Sequence, residues 1–486
     1  MRLKGNLVAA LWLLSLPAMA TNGYFAHGYS LAQKALGGAG TASVEDPLIV
    51  TVNPAATAFT PQGLTAGLSL FTPIRDFRAD APEGQAGIVT IAPGFRRSQN
   101  EYYPLPAVAY NRALGDWGRW GVAMFGNGGL NTEYVGHSAQ FADGLPLAGT
   151  ECAGTFGGGA PVEGQNDPVG FCGNGKRNAG VDLAILYLTP SLAVKLGERS
   201  ALGVAPIFAL SRFAARGLSA FAQFSNAPDK VSDNGHDLAY GVGYRIGGFT
   251  ALIPAVRLGA SYQGRVRMGE FDDYAGLFAE QGDFDIPESW NLGVVLRLTP
   301  RHQLLFDYQR INFSQIRSVG NPMDPNRFVN QCALPRLLGS TATSEACLGA
   351  ATGPGFGWQD MTVRKFGYQY AAQRWKLRLG FSTARQPIPA SEVLFNVLAP
   401  GVIEQHFTAG FSWRLSSLLE LEMAAMFAPD RTVTGQNPLS NVDLVGGLPV
   451  LGGSDQGTFG TDPQDQELHL NMRQYELSIG FTWHLE

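Results

Sequence analysis

The chain has 486 residues and a formal net charge of −5, with 15% charged residues and 61 glycines. Soluble domains carry roughly 25% charge and about 7% Gly. Charge this sparse excludes a charge-rich disordered chain, a basic nucleic-acid binder and a coiled coil. No segment beyond the N-terminus has the roughly 20 apolar residues of a membrane helix.

The N-terminus reads as an export signal. Arg2 and Lys4 precede an apolar core from Leu7 to Leu16, followed by Pro17 and the small-residue site Ala18-Met19-Ala20. Residues 1–20 are expected to form a signal peptide cut after Ala20. An exported chain without spanning helices enters a membrane only through strands. Residues 21–62 come next, with Gly23, Gly28, Gly37, Gly38 and Gly40 among Tyr24, Phe25, Leu31, Leu36 and Ile49, and with no period of two. They are expected to fold as an N-terminal plug, because the lumen of a wide barrel would otherwise stand open; a disordered periplasmic tail is the alternative.

Residues 63–486 carry the beat of a barrel. Tyr475, Leu477, Ile479, Phe481, Trp483 and Leu485 alternate with Gln474, Glu476, Ser478, Gly480, Thr482 and His484. One face is apolar and the other polar or small, as in a strand between lipid and lumen. The same alternation predicts fourteen strands. They are Gly63–Phe77, Pro104–Arg112, Arg119–Tyr134, Val181–Leu196, Ala201–Phe221, Asp237–Gly248 and Ala255–Glu270. The other seven are Phe284–Thr299, His302–Arg317, Met361–Ala371, Arg374–Arg385, Ile403–Leu415, Ser417–Val433 and Leu468–Leu485. Short turns such as Gly197-Glu198-Arg199 alternate with long loops such as Val135–Gly180 and Ser318–Asp360. The fold expected is an all-β, transmembrane, up-and-down antiparallel barrel in the outer membrane of a Gram-negative bacterium. An even strand count puts both termini in the periplasm.

Cys152 and Cys172 share one long loop, and Cys332 and Cys347 another. In an oxidising compartment two loop-closing disulfides are expected. The pairs lack the Cys-x-x-Cys knuckles of a metal site, so no metal or cofactor is expected. The seven histidines are scattered and no Gly-x-Ser-x-Gly elbow occurs, which argues against an enzyme.

Three features bear on cargo. In Val181–Val194 both faces are apolar or small, so Leu186 and Leu188 are candidate lumen-facing ligand contacts; packing on the plug is the alternative. Gly126-Asn127-Gly128-Gly129 interrupts the third strand, as at a bulge or kink, a plain strand end being the alternative. Phe221, Leu277 and Phe278 lie at or in long loops, where they line an apolar groove or merely pack the loops.

These residues resemble a family. Gly37-Gly38-Ala39-Gly40-Thr41-Ala42, Glu45-Asp46 and Asn53-Pro54-Ala55 are similar to the plug of the FadL family of outer-membrane transporters for long-chain fatty acids and other hydrophobic compounds. Pro104-Leu105-Pro106, Trp120-Gly121 and the run Gly129-Leu130-Asn131-Thr132-Glu133-Tyr134 resemble its second and third strands. The resemblance implies a monomeric fourteen-strand barrel with an N-terminal hatch; Asn53, Pro54 and Ala55 are expected to act as its gate, an ordinary turn before the first strand being the alternative. It also implies passive movement of a hydrophobic ligand from an outer groove to a lateral opening at the third-strand kink, and so into outer-membrane lipid. The chain departs from the family in ending Trp483-His484-Leu485-Glu486 and in its long cysteine-bearing loops. A polar-solute porin and a receptor or adhesin barrel remain as alternatives.

Overall fold

The computed structural model describes residues 22–80, 89–91, 94–135, 140–141, 178–440 and 466–485. The expected signal peptide and the Cys152–Cys172 pair lie outside the described residues.

Fourteen long strands build the wall. They are β1 (Gly63–Ala79), β2 (Tyr103–Leu114), β3 (Gly118–Asn131), β4 (Asn178–Leu196), β5 (Ser200–Arg216), β6 (Asp237–Ile253) and β7 (Val256–Gln263). The second half is β8 (Ser289–Arg297), β9 (His302–Ile311), β10 (Met361–Ala371), β11 (Trp375–Ala384), β12 (Gln405–Arg414), β13 (Leu419–Gln436) and β14 (Glu467–His484). Each pairs antiparallel with its neighbour in sequence. β14 closes onto β1 from Gly63↔His484 to Ala79↔Leu468. Among the described residues closure gives every wall strand a paired neighbour on both sides, as the hydrocarbon core demands of a strand structure.

The period of two sorts the wall into faces. On β6, Leu238, Tyr240, Val242, Tyr244 and Ile246 face outward, Tyr240 being 69% exposed, while Ala239 and Arg245 are buried inside. Such an apolar exterior is a liability in water and the natural solvent boundary in lipid. Trp120, Trp375, Trp413 and Trp483 are exposed near the short-turn ends of their strands, where an aromatic girdle belongs. Among the described residues no helix is long and apolar enough to cross a membrane.

Several strands stop short of the sequence expectation at the long-loop end. β5 ends at Arg216, β7 at Gln263 and β9 at Ile311, and β8 begins only at Ser289. Phe284 and Ile286 continue the apolar beat of β8 beyond the wall, and Phe313 and Ile316 follow β9, but all four are buried in a cap formed by the loops. In that cap Cys332 and Cys347 form a disulfide.

Residues 22–62 run through the barrel interior. The helix α1 (Leu31–Ala35) starts at Ser30 with a reciprocal capping box to Gln33. Two 3-10 turns follow, Pro47–Thr51 and Pro54–Phe59, capped by the side chains of Asp46 and Asn53 with proline at the start of each. Glycines let this segment touch the wall. Gly37 has φ +66° and lies against the Phe381 backbone, where a Cβ would come within 2.8 Å.

Candidate functional site

The interior of the barrel holds the N-terminal segment with charge on one side. Lys34 Nζ meets Glu476 Oε1 of β14 at 2.5 Å and donates to Ser69 Oγ at 2.7 Å. Asp307 of β9 accepts from the backbone of Gly40 and Thr41 and from the Thr41 hydroxyl, at 2.7–2.8 Å. Glu45 pairs with Lys376 of β11 at 3.0 Å and accepts from Gln369 at 3.2 Å. Burial opposes ionisation of Glu45, but Lys376 and Arg378 outweigh it and hold the carboxyl far below its ordinary range.

Asn53 Nδ2 donates to the carbonyls of Thr41, at 2.8 Å, and Gly248, at 3.0 Å; its Oδ1 accepts from Ala55 N at 3.1 Å. Pro54 and Ala55 occupy the space in front of Gly203, and Asn53 the space in front of Gly247. The triplet therefore joins the N-terminal segment to β5 and β6.

The third-strand interruption is a bulge with a consequence for both neighbours. β3 keeps its ladder with β4, with a register shift between Gly126 and Gly128 that leaves Asn127 as the extra residue. Its ladder with β2 runs only from Leu114↔Gly118 to Ala107↔Phe125. Beyond that point Tyr103–Pro106 and Gly126–Asn131 share no ladder pairs. Pro104 and Pro106 have no N–H to offer. The backbone groups released at the bulge are taken up from inside: Ala26 N donates to Asn127 O at 3.1 Å, and Gly129 N donates to Tyr24 O at 3.0 Å. The Tyr29 hydroxyl donates to Asn127 Oδ1 at 2.8 Å. At the long-loop end the Tyr103 hydroxyl bonds Asn131 Oδ1 at 2.8 Å, and Arg75 donates to the carbonyls of Asn100 and Asn131. The wall is thus interrupted over a bounded stretch between β2 and β3.

Phe221, Leu277 and Phe278 come together. With Val181, Phe213, Leu218, Leu348, Phe356, Leu394, Phe395 and Leu398 they line a small apolar cavity between the long loops, of about 70 Å³. Leu186 and Leu188 do not join it. Both turn to the outer face of β4, Leu188 being 45% exposed, while Leu183, Ile185 and Tyr187 face the interior. Both faces of this strand are apolar, so composition could not choose between them and the lumen assignment is corrected by one residue. From the cavity, aromatic rings lead inward: Phe213 to Phe278 at 4.6 Å between centroids, Phe278 to Phe284 at 5.0 Å, Phe284 to Tyr24 at 5.9 Å. Tyr24 also packs on Phe25, Phe313 and Trp358. Tyr24 and Phe25 are the residues that pair with the β3 bulge. The sequence reading missed these rings and the stop in the β2–β3 ladder; the two prolines of β2 were the available signal for the latter.

A closed fourteen-strand barrel with a lipid-facing exterior and an apolar cavity at one end defines an outer-membrane channel class. Residues 175–450, more than half of the chain, match the family of outer membrane protein transport proteins described as OMPP1/FadL/TodX, and the chain belongs to that family. No curated protein matches the sequence. Among solved structures, the Pseudomonas putida toluene transporter TodX is similar at 18% identity and TM-score 0.57, over 95% of this chain and 99% of that one. A Pseudomonas aeruginosa FadL homologue aligns at 14% identity and TM-score 0.59, over 96% and 100% of the two chains. The Ralstonia pickettii toluene transporter TbuX aligns at 16% identity and TM-score 0.54, over 95% and 99%. At these identities the likenesses speak for the fold. The chain is accordingly an outer-membrane transport channel of the FadL/TodX family and not an enzyme.

Proposed function

We propose that the barrel passively takes up hydrophobic molecules, long-chain fatty acids or hydrocarbons, and releases them sideways into the bilayer. In this reading the signal peptide is removed, both termini face the periplasm, and the protein acts as a monomer. The cargo leaves water in the apolar cavity of the outer loops, because burial of carbon surface favours it there. It then follows the aromatic rings inward to Tyr24. Residues 21–62 are the plug, and Asn53, Pro54 and Ala55 are its latch on β5 and β6. The exit is the interruption between β2 and β3, covered from inside by Tyr24–Ala26.

One observation carries the reading. The rings that leave the cavity end on the two residues whose backbone fills the gap in the wall. Displacing Tyr24 would therefore uncover the gap, and an apolar molecule at that point would meet lipid rather than water. The toluene transporters among the similar structures support hydrophobic cargo of this kind.

The experiment restores the wall. Deleting Asn127 removes the extra residue of the bulge, and Pro104→Thr with Pro106→Thr returns two ladder donors to β2. Cells carrying the combined variant are expected to lose uptake of radiolabelled hydrophobic compounds while the purified barrel still binds them. Unchanged uptake through a correctly folded variant would refute lateral release.

A further inference from the structure

A side-chain cluster outside the channel stands at the seam that closes the barrel. Asp80 directly follows β1, and its N–H donates to Glu467 O at 3.0 Å, which carries the ladder between β1 and β14 one residue further. Glu467 and His469 are two positions apart on β14 and share a face. Leu468 and Leu470 point inward and are buried, which puts Glu467 and His469 outside the wall with the exposed Tyr475 and Leu477. The cluster lies at the long-loop end of that face, past the lipid-facing stretch.

His469 Nε2 is 3.2 Å from Asp80 Oδ2 and 3.7 Å from Glu467 Oε2. The three donor atoms lie within 4.8 Å of one another, and among the described residues no other three His, Cys, Asp or Glu side chains converge in this way. A zinc ion with ligands at about 2.0–2.2 Å sets neighbouring donors of a tetrahedron about 3.4 Å apart, and the two distances to Nε2 bracket that edge. His469 Nδ1 is taken by the Thr434 hydroxyl of β13 at 3.0 Å, which leaves Nε2 facing both carboxylates. A metal-ligating imidazole is oriented in the same way, by an outer partner on its second nitrogen. Charge points in the same direction. Arg78 pairs with Asp80 Oδ1 at 2.9 Å and leaves Oδ2 to the cluster. Glu467 has no partner of opposite charge among the described residues other than the imidazole. Two carboxylates facing one imidazole nitrogen need a shared cation. A proton on Nε2 serves Asp80 but not Glu467, which lies beyond hydrogen-bond reach; a metal ion serves all three.

We propose that Asp80, Glu467 and His469 form a divalent metal site on the outer face of the barrel, taking zinc or another late first-row ion. An imidazole with two carboxylates suits such an ion, whereas calcium and magnesium favour oxygen ligands alone. Three protein ligands leave a further position to water. The ion bridges the end of β1 and the start of β14, so it clasps the first strand of the wall to the last. No local motif announces the site: Asp80 and His469 are 389 positions apart and meet only when the barrel closes.

The test is calorimetric titration of the untagged full barrel in neutral detergent, stripped with chelator beforehand, with zinc chloride alone as the probe and magnesium and calcium chloride for comparison. One zinc ion per barrel is expected, bound at least about tenfold more tightly than either comparison ion. His469→Ala should weaken zinc binding about a hundredfold, and Thr434→Val, which frees the imidazole without removing a ligand, about tenfold. Cobalt(II) should give the visible absorption of a four-coordinate site in the wild type and not in His469→Ala. Zinc should raise the unfolding temperature of the wild type and leave that of His469→Ala unchanged, because an ion held only by the folded state stabilises it. Absence of stoichiometric zinc binding overturns the site, as does an affinity that survives in His469→Ala; zinc bound with no gain in unfolding temperature overturns the clasp. Heat-modifiable gel migration reports folding. Should His469→Ala not fold, Glu467→Gln decides by the same readouts.

Discussion

The N-terminal segment meets two different interiors. Against β9–β14 it is held by charge: Lys34 on Glu476, the backbone of Gly40 and Thr41 on Asp307, and Glu45 on Lys376. Against β3–β6 it is held by hydrogen bonds rather than ion pairs, and by shape: Tyr24–Ala26 and the Tyr29 hydroxyl on the bulge, Asn53 on the Gly248 carbonyl, the Thr60 carbonyl on Arg119, and Pro54 and Ala55 against Gly203. A buried ion pair resists separation because either charge alone is stranded in a poor solvent. A backbone pairing at a bulge is exchanged more cheaply, since another hydrogen-bonding partner or a water replaces it. The polar side therefore fixes the position of the segment, and the β3–β6 side is where it can yield. The interrupted wall lies on the yielding side, and the apolar cavity draws part of its lining, Val181 and Phe213, from β4 and β5 of that side.

Breaking the clamp should have the largest effect. Lys34→Met leaves the Glu476 carboxylate buried without its partner and is expected to cost about 3–5 kcal/mol. Thermal unfolding should fall accordingly, and residues 22–62 should become accessible to protease in the folded barrel. Combining it with Glu476→Gln should recover part of the loss; additive losses would mean the pair is not the clamp.

On the cavity side the comparable brace is covalent. Cys332 and Cys347 are 15 residues apart in sequence, and in the chain-entropy model a closure of that length contributes about 3 kcal/mol. Cys332→Ser with Cys347→Ser should expose residues 312–360 to limited proteolysis and weaken cavity binding, with the wall intact. A cavity that binds as before would show that packing alone holds these loops.

The two sides should also differ in acid. His27 is buried, and burial lowers its pKa to about 4; Glu476 opposes the shift, while Lys34 and Lys365 reinforce it. Its ring stacks on His406 at 5.8 Å. The folded state thus binds fewer protons than the unfolded one between about pH 4 and pH 6.5, so stability is present above that window and is lost as pH falls through it. Between pH 8 and pH 5 the loss is about 2 kcal/mol. His27→Phe should flatten the acid limb of a pH–stability curve; an unchanged limb would place the titration elsewhere.

The wall was legible in the sequence because lipid and lumen impose a strict alternation, and that is why the fourteen strands could be counted. Their long-loop ends were not, since Phe284 and Ile286 keep the beat of β8 while packing a cap. The clamp was invisible for another reason. Lys34 and Glu476 are 442 positions apart, and no local pattern links residues that meet only when the barrel closes. The bulge was readable from its glycines, whereas the end of the β2–β3 ladder lay in what β2 cannot donate.

The smallest expected effect tests the yielding side directly. The Tyr29 hydroxyl donates to Asn127 Oδ1 at 2.8 Å, the one side-chain bond among the described residues that joins the N-terminal segment to the bulge. Tyr29→Phe removes a neutral hydrogen bond and keeps the ring on Phe125, so the expected cost is about 1 kcal/mol. Backbone amides of residues 127–129 should exchange with deuterium faster, because their cover from inside is weakened, while the amides of Gly40 and Thr41 on Asp307 should be unaffected. The contrast is the point of the measurement. If the phenylalanine variant loosens Gly40 and Thr41 as much as residues 127–129, the segment moves as one rigid body. The charged side is then not a fixed anchor, and displacing Tyr24 could not uncover the gap without breaking the clamp as well.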